Sequence, residues 1–214
     1  IVCSMQERAA LLDDERTCLV VPQGADPDEW PMQQPPRSDR CVVASFGSLW
    51  YEPHRESVAW FVQQVWPLVR AAVPTAEFRL LGPGDATPFT DSANGIVALG
   101  KVCDLAAAVA DANVVVVPTL AGPGSRVKFP ESVISGRPVV ATPVAAEGFR
   151  TDGHCDVAEG PEQMSAAIIR LLRDPDLADR QGRDARAHAL EALTWTSAAR
   201  DLCDYLATPD RWRR

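Results

Sequence analysis

Residues 113–143 read NVVVVPTLAGPGSRVKFPESVISGRPVVATP, and this stretch decides the fold. A run of valines ends at Pro118, a glycine-rich loop continues as far as Lys128, a helical segment ends at Gly136, and a second valine-rich run starts after it. Strand, loop, helix and strand in this order form the repeating unit of a parallel sheet. Continuous apolar runs are typical of strands that are covered on both faces.

The same unit recurs on both sides of this stretch. Strand-like runs alternate with segments whose apolar residues have helical spacing. The strands are expected at 41–47, 78–82 and 96–100, and the helices from Val58, Asp104 and Pro161, with two more at about 176–191 and 195–207. Pro67 should kink or interrupt the first helix. The fold class expected is therefore α/β, a doubly wound, Rossmann-like parallel sheet.

The beginning of the chain differs in composition. Residues 17–40 are dense in proline and polar residues and have no period, which predicts an interdomain linker. Residues 1–16 would then be the remnant of a preceding N-terminal domain, and 41–190 the complete domain. Ile1 opens a strand-like run, so the chain is expected to begin inside a larger protein.

Composition narrows the class of protein. The 214 residues are 46% hydrophobic and 23% charged, with no apolar run long enough to cross a bilayer. A net charge of -8 disfavours a nucleic-acid partner, which is bound mainly through clustered lysine and arginine. The six cysteines are scattered and lack metal-site spacing, which favours structural thiols in a reducing compartment. We expect a cytoplasmic location and no metal.

The chemistry should lie where the strands end. Ligands of open parallel sheets bind at the carboxyl ends of the strands, and here the loops begin at Gly47, Gly82, Gly100 and Pro118. The last loop is the richest. It places its glycines and a serine before two cations and an acid: Gly122, Gly124, Ser125, Arg126, Lys128 and Glu131.

This order of residues suits a nucleotide diphosphate. Backbone amides at a helix N-terminus attract a pyrophosphate, and Arg126 and Lys128 add charge-assisted bonds. Glu131, one turn further on, can accept bonds from two ribose hydroxyls. Pro130 fits only the first helical turn, so the helix should start near Phe129 and leave both cations in the loop. The alternative is an ordinary turn with solvated cations, because the loop matches neither the Walker A pattern nor the Rossmann fingerprint.

The stretch PTLAGPGSRVKFPESVISGRPVVATPVAAEGF resembles the signature of the family-four, GT-B type retaining glycosyltransferases (glycosyl transferases group 1). VVPQGAD is similar to the interdomain segment of that family, and FGSLWYEPHRESVAWFVQQVWP to its first nucleotide-side unit. LLGPG, GKVCDLAAAVADANVVVVP and a late TW follow in family order. The resemblance covers nearly the whole chain and implies the C-terminal, donor-binding half of a GT-B fold.

The resemblance also implies roles for particular residues. Lys128, with Arg126, would stabilise the leaving diphosphate of a nucleotide sugar, and Glu131 would hold the ribose. The further donor-binding positions are Gly47, Ser48, Gly82, Val102, Gly124 and Ser125. For Gly47 and Gly82, a plain turn at the end of a strand is the alternative. Residues 191–214 would form a C-terminal helix that crosses back to the missing N-terminal domain, which would carry the acceptor site and any peripheral membrane association.

The sequence departs from the family pattern in places. Many members have a glutamate that contacts the sugar where this chain has Pro123, and Glu147 could touch the sugar or be structural. The usual basic residues after the first strand are not evident. We expect His54 to be a capping or surface residue rather than a catalyst, and His154 and His188 to face solvent.

Three other functions compete with glycosyl transfer. One is a degenerate, non-enzymatic nucleotide-binding or scaffold module that keeps only the fold. Another is a sugar-nucleotide epimerase of the same architecture. A dinucleotide-binding oxidoreductase is the third, and it is weakened because no Gly-x-Gly-x-x-Gly follows the first strand.

Overall fold

The computed structural model of the protein describes residues 2, 8–9, 19–21, 23–34, 41–122, 127–151 and 153–207. Within them the fold centres on one six-stranded sheet whose neighbouring strands all run parallel. The strands are β1 (Val42–Phe46), β2 (Glu77–Leu81), β3 (Ile96–Gly100), β4 (Val114–Val117), β5 (Val139–Ala141) and β6 (Asp156–Val157). The predicted α/β parallel sheet is confirmed.

The order of the strands is β3-β2-β1-β4-β5-β6. The chain builds outward from β1 in one direction and then returns to lay β4 on the other side of β1. In a doubly wound sheet the ligand crevice opens at this reversal, outside the carboxyl ends of the two central strands. The topology therefore points to the loops that follow β1 and β4.

Helices connect the strands and complete the chain. They are α1 (Glu52–Trp60), α2 (Trp66–Ala72), α3 (Leu105–Ala110), α4 (Lys128–Ile134), α5 (Pro143–Ala146), α6 (Pro161–Arg173), α7 (Pro175–Ala192) and α8 (Trp195–Leu206). The Asp104 carboxylate caps α3 by accepting from the Ala107 amide, as the sequence predicts. No helix in the described part of the chain combines the length and apolar character needed to cross a membrane.

The core lies on both faces of the sheet. Every residue of β1 and β4 is buried, which is why their sequences are continuous apolar runs. On one face Phe46 packs in a cluster with Phe129 of α4. On the other face Val43 packs with Phe61 and Trp66. Burial on both faces fixes the carboxyl ends of β1 and β4 side by side.

The expectation for Pro67 is confirmed. The helical segment after β1 is α-helical in α1 and again in α2, and Phe61–Val65 between them forms a π-helical turn. Proline lacks an amide hydrogen and clashes with the preceding turn, so a widened turn accommodates it. The helix begins at Glu52, earlier than the apolar pattern from Val58 suggested, because Pro53 occupies its first turn.

Residues 23–34 pack onto the sheet domain. Trp30 is buried against Phe46, with ring centroids 5.6 Å apart, and its carbonyl accepts from Arg186 Nη1 at 2.7 Å. Ala25 forms a parallel bridge with Thr194, the residue that caps α8. The boundaries of the domain, the linker and the crossing helix stay predictions, but part of the predicted linker belongs to the core of the fold.

Candidate functional site

The candidate site is the crevice at the reversal of the sheet. We call it the β1–β4 crevice and define it as residues 47–51 after β1, residues 118–122 after β4, and the first turn of α4, residues 127–131. The two sides are tied together by Ser57, which is fully buried. Its hydroxyl donates to the Pro53 carbonyl at 2.6 Å and accepts from the Leu120 amide at 3.2 Å.

Gly47 lies where the Lys128 and His54 side chains reach the end of β1. Its φ is +147°, and a Cβ atom there would lie 2.6 Å from Lys128 Cε and 2.8 Å from His54 Nε2. Any larger residue would strain the backbone and force these side chains to move, so glycine lets both approach the end of β1. The structure thus brings Gly47 and Lys128, two of the predicted donor residues, into contact.

Gly82 supports the crevice from the neighbouring strand. Its φ is +131°, and a Cβ atom there would lie 2.1 Å from the carbonyl oxygen of Gly47. The Gly47 amide donates to Leu81 at 2.9 Å, and the Gly82 amide donates to Gly100 at 2.8 Å. The missing side chain of Gly82 therefore makes room for the backbone of Gly47, which is the strand-end role left open by the sequence. A donor contact of Gly82 stays a prediction.

Lys128 is the first residue of α4 rather than part of the loop before it. The helix was expected to start near Phe129 and starts one residue earlier. Pro130 is compatible with this start, since it still falls within the first turn, where amide groups have no partner in the helix. The side chain of Lys128 is half-buried. Burial lowers the pKa of Lys128 to about 8, against the opposing attraction of Glu131. The ammonium is therefore charged at neutral pH and held at the crevice.

Glu131 lies one turn further along α4 and is also half-buried. Burial and the carboxylate of Glu29 raise its pKa to about 7, against the opposing effect of Lys128. Glu29 belongs to the segment 23–34 that the sequence assigned to a linker. Sequence reasoning missed it, and Trp30, an aromatic residue within that polar segment, is the signal that the segment packs.

The remaining predicted donor residues differ in what the structure shows. Gly124, Ser125 and Arg126 lie outside the described residues, so their roles stay predictions. Ser48 is half-buried and its Oγ accepts from the Trp50 amide at 3.3 Å, which orders the loop after β1. Val102 packs against the core cluster just beyond the end of β3, and its role near the base stays a prediction.

His54 contradicts its expectation. The sequence suggested a capping or surface residue, but His54 is only 4% exposed and lies in the first turn of α1 beneath Gly47. Burial, with a smaller contribution from the Lys128 charge, lowers its pKa to about 3, so the imidazole is neutral. Residues in the first turn of a helix usually face solvent. His54 is buried because α1 lies under the end of β1.

His154 and His188 are half-buried, so the expectation that they face solvent is met only in part. The two rings stack with centroids 4.3 Å apart, and one nitrogen of each, His154 Nδ1 and His188 Nε2, is buried. They come from segments that are distant in sequence, so spacing gave no hint of the pair. In the described part of the chain no group of three or more histidine, cysteine, aspartate or glutamate side chains is placed to hold a metal ion.

The sequence profile of the glycosyl transferases group 1 family matches residues 40–174, which is more than half of the chain. The chain belongs to the group 1 glycosyl transferases. A relative, the MMP alpha-(1->4)-mannosyltransferase of Mycolicibacterium hassiacum, is 34% identical to this group 1 member over 101 residues. That match covers 45% of this chain and 24% of the relative.

Solved structures show that this group 1 chain shares its fold with GT-B glycosyltransferases. S. aureus TarM superposes with a TM-score of 0.75 at 17% identity, over 95% of this chain and 42% of TarM. Sucrose-phosphate synthase from Thermosynechococcus elongatus has a TM-score of 0.72 at 19% identity, over 96% of this chain and 57% of the synthase. Anabaena HepE in complex with UDP-glucose has a TM-score of 0.70 at 17% identity, over 97% of this chain and 63% of HepE.

The solved structures match 95% to 97% of this group 1 glycosyl transferase chain, and the curated relative matches 45% of it. In the other direction, the chain spans about a quarter of the curated relative and roughly half of the solved structures. The family and the Rossmann-like fold of a GT-B half are therefore confirmed. The motifs from FGSLWYEPHR to GRPVVATP lie within the matched segment, whereas VVPQGAD and the late TW, which also carried the resemblance, lie outside it.

Proposed function

We propose that the chain binds a nucleotide diphosphate sugar in the β1–β4 crevice and serves as the donor half of a retaining glycosyltransferase. The observation that carries the proposal is the position of Lys128, a half-buried cation at the first position of α4 that contacts Gly47. Cations and free backbone amides at a helix start, next to a glycine that admits close approach, suit a diphosphate.

Lys128 would act on the leaving group. As the glycosidic bond lengthens, negative charge builds on the departing diphosphate, and a fixed cation stabilises that charge more than it stabilises the bound donor. Because the pKa of Lys128 is lowered only to about 8, the side chain is protonated at neutral pH without any change on binding. Arg126 would add a second cation, so the electrostatics require no metal.

Glu131 would hold the ribose. A carboxylate one turn beyond Lys128 on the same helix can accept hydrogen bonds from both ribose hydroxyls while the lysine contacts the diphosphate. Burial removes its carboxyl group from water and raises the pKa to about 7, and the ribose hydroxyls would supply hydrogen bonds in place of water. The Gly100 loop would lie near the base, since a Cβ atom on Gly100 would meet nothing within 4 Å.

The relatives support a nucleotide sugar as the partner. HepE has been solved in complex with UDP-glucose and TarM with UDP, and both share the fold of this chain. Retention of configuration, the acceptor and a complementary N-terminal domain are the finer parts of the proposal. The four free cysteines of the described residues, Cys41, Cys103, Cys155 and Cys203, agree with the cytoplasmic location that we propose.

Thermal shift with UDP, GDP and NAD tests the class of ligand. A ligand that binds only the folded state raises the melting temperature, by an amount set by its concentration relative to Kd. Stabilisation by UDP or GDP is expected, and stabilisation by NAD alone would point to an oxidoreductase. No shift with any of the three would leave the fold without a nucleotide site.

We propose that transfer requires the complementary N-terminal domain, so the activity assay uses a protein that contains both halves. Incubation with nucleotide sugars and candidate acceptors, followed by NMR of the anomeric proton, should show a product with the configuration of the donor. An inverted product would contradict the proposed mechanism. A changed nucleotide sugar with no transfer would identify an epimerase instead.

A further inference from the structure

His54 is a buried histidine at the proposed donor site that the family resemblance assigned no role. It lies in the first turn of α1, directly after Pro53, and only 4% of it is exposed. Its backbone amide donates to the Tyr51 carbonyl at 3.0 Å, which fixes the residue at the start of the helix. The buried side chain points in one direction, which is set by the packing around it.

That direction is toward the end of β1. A Cβ atom on Gly47 would lie 2.8 Å from His54 Nε2 and 2.9 Å from Lys128 Nζ, so both nitrogens face the same point. His54 Nε2 is shielded from solvent and has no hydrogen-bond partner among the described residues. A buried polar atom without a partner is costly and calls for an explanation, of which a ligand is one.

The imidazole is neutral at physiological pH, because burial and the neighbouring Lys128 charge both lower its pKa. A neutral imidazole has one N–H and one free nitrogen lone pair. Next to an ammonium that provides the positive charge, an N–H directed at the same point can donate to a second oxygen of an anion. This adds direction to the site without adding a second buried charge.

We propose that His54 is a donor-binding residue whose Nε2 hydrogen bonds to a diphosphate oxygen held by Lys128. The inference rests on the proposed function, because it needs a diphosphate in the β1–β4 crevice. His54 would contact the diphosphate from the β1 side of the crevice, where the loop 47–51 contains no arginine or lysine.

Two substitutions separate the hydrogen bond from packing. Glutamine at position 54 places an amide N–H near the position of Nε2, whereas leucine fills similar space and donates nothing. By calorimetry with UDP and GDP as probes, His54→Leu should weaken binding by about 10- to 100-fold, the effect of losing one hydrogen bond to a charged group. His54→Gln should restore most of the affinity, and His188→Gln, at the distant histidine pair, should match the wild type.

The outcomes are distinguishable. Equal affinity of His54→Leu and the wild type would overturn the role of His54 and leave the proposed function intact. Failure of the wild-type chain to bind either diphosphate would overturn both. If His54→Leu does not fold, the wild type still decides, because the Nε2 nitrogen resonance of His54, assigned with His54→Gln, should shift when UDP or GDP is added. An unchanged resonance at saturation would refute the contact.

Discussion

Replacing His54 by glutamine should make the folded chain more resistant to acid. The folded-state pKa of His54 is lowered from 6.5 to about 3, so as pH falls the unfolded state binds the proton first. The stability that the neutral imidazole contributes above pH 6.5 is therefore lost progressively between pH 6.5 and pH 3. At pH 5, about 1.5 pH units below the pKa of the unfolded state, the free energy of unfolding is lower by about 2 kcal/mol.

Urea unfolding followed by tryptophan fluorescence at pH 8 and pH 5 measures this loss. The wild type should lose about 2 kcal/mol more of its free energy of unfolding over this range than His54→Gln, since carboxylate titration is common to both and cancels. His154→Gln, at the other histidine site, is the matched control and should keep most of the wild-type loss. Equal losses for the wild type and His54→Gln would refute the burial of a neutral imidazole beneath Gly47.

Three further changes test other parts of the structure. Gly82→Ala should lower the free energy of unfolding by more than about 3 kcal/mol in urea, because its Cβ would lie 2.1 Å from the Gly47 carbonyl oxygen. Gly148→Ala is the control: Gly148 has φ +86° but open space around it, so the loss should be only about 1 kcal/mol. Equal losses for the two variants would contradict the clash. Calorimetry should show that affinity for UDP or GDP rises more with pH through about 7 in the wild type, where Glu131 ionises, than in Glu131→Gln, because the terminal phosphate of the ligand titrates in both and only the difference reports Glu131; equal rises in the two would assign the effect to another group. Thr194→Ala should cost about 1 kcal/mol of unfolding free energy, because it removes the capping box that starts α8, and an unchanged midpoint would exclude that role.

The sheet could be predicted from the sequence because its signals are local. β1 and β4 are buried on both faces, so all of their residues except Ser45 are apolar and stand out in the sequence. The cap at Asp104 and the interruption before Pro67 follow from single residues with a defined backbone requirement. These features depend little on what packs against them.

The candidate site could be predicted only in part. Lys128 and Glu131 stand in a recognisable loop and helix start, and the structure brings Lys128 to Gly47 as the site requires. His54 and Glu29 could not be found in this way. The burial of His54 depends on how α1 lies under β1, and the approach of Glu29 to Glu131 depends on Trp30 packing onto the sheet. Such contacts link parts of the chain that share no local pattern.

The central claim is that Lys128 at the start of α4 binds the diphosphate of a nucleotide sugar. Calorimetry of the Lys128→Ala chain with UDP and GDP, beside the wild type and His188→Gln, tests it most directly. The wild type and His188→Gln should bind at least one diphosphate, and Lys128→Ala should lose this binding while remaining folded. Unchanged affinity in Lys128→Ala would contradict the site assignment.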